Sequence, residues 1–386
     1  MIGTPSYDLS PALGLLAFAA ALALAPLAWV RWRHRPQGAR PWLRALTLTT
    51  LFLTVDLVLF GAFTRLTDSG LGCPDWPGCY GTTSPLAAAE QIHRAQTALP
   101  SGPVTHAKAW VEMLHRYLAM AVGALIVALM VVHLWQRFAR RRHAGVPLLW
   151  PLATFAWVCV QGAFGALTVT MKLYPSIVTA HLLGALVLLV LLALQSESYD
   201  PLPLRLSLPL RVGLYAVAAL ALLQIALGGW VSTNYAVLAC ADFPTCQGSF
   251  WPDMDFSRGF TLLRPLGASA DGSWLPFNAL TAIHYTHRLV AYVLLCALSV
   301  LAWRLHAAGD RPHRRWAGVL AAIAAWQLAS GLSNVVLGWP LPAALAHTGG
   351  AAALAIALTM LLARSRPALQ GVPLSHAASR SLDLAA

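Results

Sequence analysis

Four of the thirteen histidines in this chain stand where histidine is rare. His115, His181, His287 and His347 each lie one or two turns inside the outer end of a long apolar run. A polar ring at membrane depth is costly and is a functional candidate by default. Taken singly, each is as readily a helix-to-helix hydrogen bond as a ligand. Four at equivalent positions of a repeat favour ligands. Zinc takes three or four clustered donors, whereas the natural unit here is two imidazoles on two helices at one depth. Two trans imidazoles in apolar surroundings suit a six-coordinate haem. The four rings therefore predict two haem sites near the outer face.

Other residues with chemistry cluster nearby. Arg116 and Arg288 each follow one of the four histidines, and Arg65 closes the second apolar run. They are candidate partners of haem propionates, since guanidinium matches carboxylate in a bidentate way; the alternative is snorkelling to the interface. Glu112 precedes His115 by three residues and so shares its helix face. Its repeat partner is His284, so a carboxyl stands beside one pair only and gives the two sites different jobs. The simpler alternative is a solvated glutamate at the helix mouth, paired with Arg116. Asp56 lies mid-membrane, where the repeat has Leu223; a buried neutral acid and a proton-handling group are both open. His34, His93, His106, His133, His143, His306, His313 and His376 read as solvated or interfacial.

The elements that must position these groups are membrane helices. Of 386 residues, 58% are apolar and only 10% are charged. So few charges cannot cover a soluble globule, which excludes a soluble enzyme, a disordered chain and a collagen-like one. Nine apolar runs are long enough to span a bilayer: 11–30, 45–64, 112–135, 148–170, 176–194, 211–232, 282–303, 316–338 and 343–363. The first follows a segment without Lys or Arg, so it reads as a retained extra helix and not a signal peptide. Alternate connecting segments carry 18 and 6 of the 26 Lys and Arg residues. That asymmetry places the N-terminus outside and the C-terminus inside. It also accounts for the formal charge of +12, so no nucleic-acid partner is needed. In a bacterial cell this is the inner membrane with a periplasmic N-terminus and a cytoplasmic C-terminus. The two long loops, 65–111 and 233–281, fall outside, and each holds a cysteine pair, Cys73 with Cys79 and Cys240 with Cys246. An oxidising compartment makes a disulfide in each plausible, with a structural and a redox role both open. Cys159 and Cys296 lie inside spans and read as small buried apolar side chains.

The chain repeats itself. Gly61 and Gly228 each precede a cysteine by twelve residues, and a second cysteine follows six later. Gln161 stands twenty residues before His181, as Gln327 does before His347. The predicted fold is an all-α polytopic membrane protein of two four-helix repeats related by a pseudo-twofold along the membrane normal. The units are 1–44 (extra helix and basic inner loop), 45–194 (first repeat), 195–210 (inner linker), 211–363 (second repeat) and 364–386 (cytoplasmic tail).

In its Gly61-Ala-Phe-Thr-Arg-Leu-Thr-Asp-Ser-Gly-Leu-Gly-Cys73-Pro-Asp-Trp-Pro loop and Glu112-Met-Leu-His115-Arg116 motif the chain resembles the haem A synthase family. His181, His287-Arg288, Ala346-His347 and Leu227-Gly-Gly-Trp-Val-Ser-Thr-Asn-Tyr235 fit it too, and the likeness covers about residues 45–363. The family usually has eight spans, so the first helix departs from it. The resemblance implies oxidation of the ring-8 methyl of haem O to a formyl by successive hydroxylations, giving haem A for cytochrome c oxidase. It implies a resident haem b on His287 and His347, haem O on His115 and His181, and Glu112 as the essential acid. It further implies a haem O synthase as donor, an electron acceptor and a lipid setting, and leaves a homo-oligomer open. Two rivals remain on the residues alone. A di-haem quinol-oxidising carrier would place its haems on opposite sides of the membrane, and a transporter would not need histidine pairs.

Overall fold

In the computed structural model, residues 10–33, 39–138 and 148–367 are described. His34, His143 and His376, and most of the 364–386 tail, lie outside them. Eleven helices run α1 Ser10–Arg33, α2 Ala39–Leu66, α3 Ala89–Ala98, α4 His106–Phe138, α5 Leu149–Thr170, α6 Pro175–Tyr199, α7 Leu208–Thr233, α8 Phe256–Gly259, α9 Phe277–Ala307, α10 Arg311–Val336 and α11 Leu341–Arg364. Among the described residues nine helices are long and apolar enough to cross a membrane, and they are the nine expected. The chain is an all-α polytopic membrane protein.

The helices outrun the apolar windows. A helix continues until its backbone is capped, whatever the hydropathy, and α4 starts at His106 and α9 at Phe277. This places Glu112 nearly two turns inside α4 and not at its mouth. Starts follow local chemistry: Pro175 opens α6, where a missing N–H costs nothing, and the Asp310 side chain caps the His313 amide of α10.

α2 packs on α4 and α6, and α5 on α4 and α6. In the second group α7 packs on α9 and α11, and α10 on α9 and α11. The groups meet through α6 against α7 and α11, and through α2 against α11. Leu46, Leu125, Leu129 and Leu189 fill the first core, and Leu214, Leu298, Leu320 and Leu358 the second. In lipid, close packing and interhelical hydrogen bonds hold such helices together, since the surrounding tails are as apolar as leucine. α1 lies outside both groups, against α4 and α2, with Phe18 edge-on to Tyr117 at 5.0 Å.

The helix ends opposite the two cysteine loops are tied together. Arg364 forks onto Glu197 through Nε and Nη2 at 2.7 and 2.6 Å. Beside it β1 (Leu204–Leu206) pairs in parallel with β2 (Ser365–Pro367), with Leu204 opposite Ser365. His133 is 4% exposed and not solvated: its Nε2 meets the Tyr199 hydroxyl at 2.8 Å, and Gln195 donates to the same hydroxyl. His313 is likewise buried, with Nε2 3.1 Å from the Arg205 carbonyl. Both depart from the solvated or interfacial reading, since each is buried against a polar partner, the Tyr199 hydroxyl of α6 and the Arg205 carbonyl of β1. Cys159 and Cys296 depart in the other direction and are exposed on the bundle surface.

Candidate functional site

The two cysteine loops are built first. In each, a disulfide closes a six-residue step, Cys73–Cys79 and Cys240–Cys246. Within each an aspartate gathers backbone amides. Asp75 accepts from the Tyr80 and Gly81 N–H groups, both at 2.6 Å. Asp242 accepts from the Gln247 and Gly248 N–H groups at 2.7 and 3.0 Å, and from the Thr245 hydroxyl. Those bonds, led by that from Thr245, hold the Asp242 carboxyl down at about 2.

So tight a loop turns its carbonyls inward, where they need donors. Arginine supplies them with its five N–H groups. Arg116 Nη1 donates to the carbonyls of Asp75, Pro77 and Gly78 at 2.9, 3.2 and 2.5 Å. Arg288 does the same in the second loop, to Asp242, Thr245 and Cys240 at 2.8, 3.0 and 2.6 Å. Both arginines, expected to meet propionates or to snorkel, instead plug the loops. Arg65 bridges the two groups of helices: it donates to the Ser232 carbonyl at 2.7 Å and lies 3.8 Å over the Tyr235 ring. Tyr235 in turn donates to Asp68 at 2.6 Å, and its burial raises the hydroxyl pKa.

Glu112 is 3% exposed. One oxygen pairs with Arg116 and the other accepts from the Cys73 N–H at 2.8 Å. It is paired with Arg116, as the simpler reading had it, yet it is buried and not solvated. His284 occupies the matching place and accepts from Arg288 Nε at 3.3 Å.

Two histidine pairs form, one in each group of helices: His115 of α4 with His181 of α6, and His287 of α9 with His347 of α11. The helices of the first pair, α4 and α6, both pack on α2 and α5, and those of the second, α9 and α11, both pack on α7 and α10. All four rings face a glycine on a neighbouring helix. A Cβ placed at Gly61 or Gly228 would come 3.0 Å from the ring of His115 or His287; at Gly331 it would come 3.2 Å from His347, and at Gly165 3.6 Å from His181. The helix carrying the second ring of each pair is fixed by an amide, Gln161 donating to the His181 carbonyl at 2.9 Å and Gln327 to that of His347 at 3.1 Å. Among the described residues no cluster of three or more His, Cys, Asp or Glu could hold a metal ion. The unit is two imidazoles in a glycine-walled, apolar gap, and that donor set fits a planar macrocycle with two axial ligands.

The pairs differ in their outer partners. His347 Nδ1 lies 3.0 Å from Ser330 Oγ, whose hydroxyl donates to the Trp326 carbonyl and so accepts from the ring. His287 Nδ1 lies 3.0 Å from the Gln224 amide. The Nδ1 atoms of His115 and His181 are buried without a partner among the described residues.

The sequence profile of COX15-CtaA, described as "Cytochrome oxidase assembly protein", matches residues 44–359. The chain belongs to the COX15-CtaA family. Proteins named "Heme A synthase" are similar to it. That of Shewanella oneidensis is 36% identical over 81% of this chain and 93% of its own length. Those of Allorhizobium ampelinum and Rhizobium rhizogenes are 33% and 31% identical over 83% and 82% of this chain, and 88% and 86% of theirs. The COX15-CtaA match begins after α1, so the extra helix lies outside it. Within this COX15-CtaA chain, sequence reasoning passed over Gln224 and Ser330. The signal was present in the repeat: their matched positions hold Leu57 and Phe164, which have no polar group to offer a ring.

Proposed function

We propose that this chain is a haem A synthase: it oxidises the ring-8 methyl of haem O to a formyl, yielding haem A for cytochrome c oxidase. The observation that carries the assignment of the two sites is the asymmetry at Nδ1. An imidazole that ligates iron through Nε2 carries its proton on Nδ1, and a fixed acceptor there sets ring angle and basicity. Ser330 is such an acceptor for His347. The Gln224 carbonyl, unpartnered among the described residues, serves His287 once the amide is turned over. This second pair is built to keep a haem, and we assign it the resident haem b, which supplies one-electron relay when bound. The rings of His115 and His181 have no such tether and suit a haem that must enter and leave, the haem O substrate.

Glu112 stands on the face of His115, dry and within the first pair's half only. Removing hydrogen from a methyl and dehydrating the resulting diol both need a group that handles protons near that carbon, and we assign this to Glu112. The equal depth of all four rings speaks against a carrier that moves electrons across the membrane. The same reading places the chain in the inner membrane with its N-terminus periplasmic and its C-terminus cytoplasmic. A haem O synthase would be the donor and a separate protein or small molecule the electron acceptor. Residues 45–194 would form the substrate half and 211–363 the resident-haem half.

Separating the pigments of purified variants tests this. His287→Ala or His347→Ala should abolish the low-spin haem b spectrum. His115→Ala or His181→Ala should keep that spectrum while haem A and the hydroxylated intermediate vanish. The reverse pattern would show the two halves assigned the wrong way round.

A further inference from the structure

A cavity of about 910 Å³ opens at the side of the bundle where α2, α10 and α11 meet. It is walled by Asp56 and Phe60 of α2, Trp326 of α10, and Ala346, Gly349 and Ala353 of α11, among others. All are apolar but Asp56. Ten residues before the end of α2, at 1.5 Å per residue, put Asp56 about 15 Å below that end, near the middle of a bilayer. It makes no hydrogen bond or ion pair with any described residue, so its carboxyl faces the cavity needing a donor. Phe60, one turn above on the same face, stacks on His115 with centroids 6.2 Å apart and planes at 5°. The cavity therefore shares a wall with the first histidine pair. It is also particular to this side: the repeat positions of Asp56, Gly349 and Ala353 hold Leu223, Leu183 and Val187.

We propose that this cavity receives the isoprenoid tail of haem O, with the hydroxyl at the root of the tail donating to Asp56. The proposal rests on the first pair being the substrate site. An isoprenoid matches an apolar slot by shape alone, and haem O adds one hydroxyl on the carbon that joins tail to ring. Haem B has a vinyl group there, with neither tail nor donor. An oxidised quinone offers only acceptors and has no hydroxyl to donate at the root of its tail. Asp56 is thereby a specificity-determining residue: it admits the farnesylated haem and leaves a haem without the hydroxyl with nothing to bind. An acid left unpaired in an apolar cavity disfavours the wrong ligand more than the bond rewards the right one.

The test uses the full chain purified with its resident haem and titrated with haem O and with haem B by difference spectra. Wild type should prefer haem O. Asp56→Leu should weaken haem O binding about tenfold or more and change haem B binding less than twofold. Ala353→Leu, which fills the slot without touching the carboxyl, should also act on haem O alone. Free farnesol should compete with haem O in wild type and not in Asp56→Leu. An unchanged resident-haem spectrum reports that each variant has folded. Equal haem O affinity in wild type and both variants overturns the proposal, as does equal loss of haem O and haem B. Displacement of haem O by decylubiquinone as well as by farnesol also overturns it. A wild type that binds both haems without preference removes the slot but keeps the site. One that binds neither at the first pair removes the underlying reading with it.

Discussion

Replacing Glu112 with glutamine changes one atom and tests the whole outer architecture. The carboxylate holds two charge-assisted bonds, to Arg116 and to the Cys73 N–H. Removing one partner of a buried ion pair outright costs about 3–5 kcal/mol. Here the amide keeps one carbonyl oxygen, and Arg116 keeps its three loop carbonyls. One charged hydrogen bond is the net loss, about 1.5–3 kcal/mol. That is about 10- to 150-fold in the opening of the 73–79 loop, well inside the roughly 5–15 kcal/mol that holds a fold together. Glu112→Gln should therefore fold, bind both haems, exchange the Cys73 amide faster and stop short of haem A. Substrate or the hydroxylated intermediate should accumulate. His284→Gln loses only a long, 3.3 Å bond from Arg288 to the ring, which the glutamine oxygen can also accept, and should make haem A normally. The assay is hydrogen exchange of the loop beside pigment separation, with haem O supplied to both variants. Normal haem A from Glu112→Gln would remove Glu112 from the chemistry; unchanged exchange at Cys73 would refute the energetic argument.

Two further outcomes are expected. Alanine at Gly228 should expel the resident haem, because its Cβ meets His287 at 3.0 Å, whereas alanine at Gly165 should be tolerated, because 3.6 Å is ordinary contact; absorption spectra of the two purified variants give the ranking, and an equal effect would refute the cradle. The second cysteine loop should resist acid. The Asp242 carboxyl titrates at about 2 in the fold and near 3.9 when free, so its contribution is complete above about pH 4 and fades as pH falls towards 2. Limited proteolysis of the 240–248 segment across pH should show protection lost only in that window, and Asp242→Asn should lose it at neutral pH.

The membrane helices could be read from the chain because hydropathy is a property of sequence alone. What could not be read was decided by direction. His133 and His115 are both histidines in apolar runs; only packing shows that one bonds to Tyr199 and the other faces a gap. Arg116 and Arg288 looked like propionate partners because their charge is visible in the sequence, while the loop carbonyls that claim them exist only once the disulfide has turned the chain. The alternative of a solvated Glu112 at a helix mouth arises because hydropathy marks where apolar residues begin, whereas α4 begins six residues earlier. Gln224 and Ser330 were passed over because a lone amide or hydroxyl in a helix carries no message until a ring is set opposite.

The loop arginines have a consequence for how the rings are aimed. Consecutive residues on a helix diverge by about 100°, so gripping Arg116 from the loop fixes the roll of α4 and with it the compass bearing of the His115 ring. Arg288 does the same for α9 and His287. Each helix is a spindle, and the loop is the detent that stops it turning. Each detent lies beyond the helix end, in a loop closed by a disulfide and by an aspartate that gathers backbone amides. The aim of each ring is therefore set by a loop and not by the apolar packing of the helix alone.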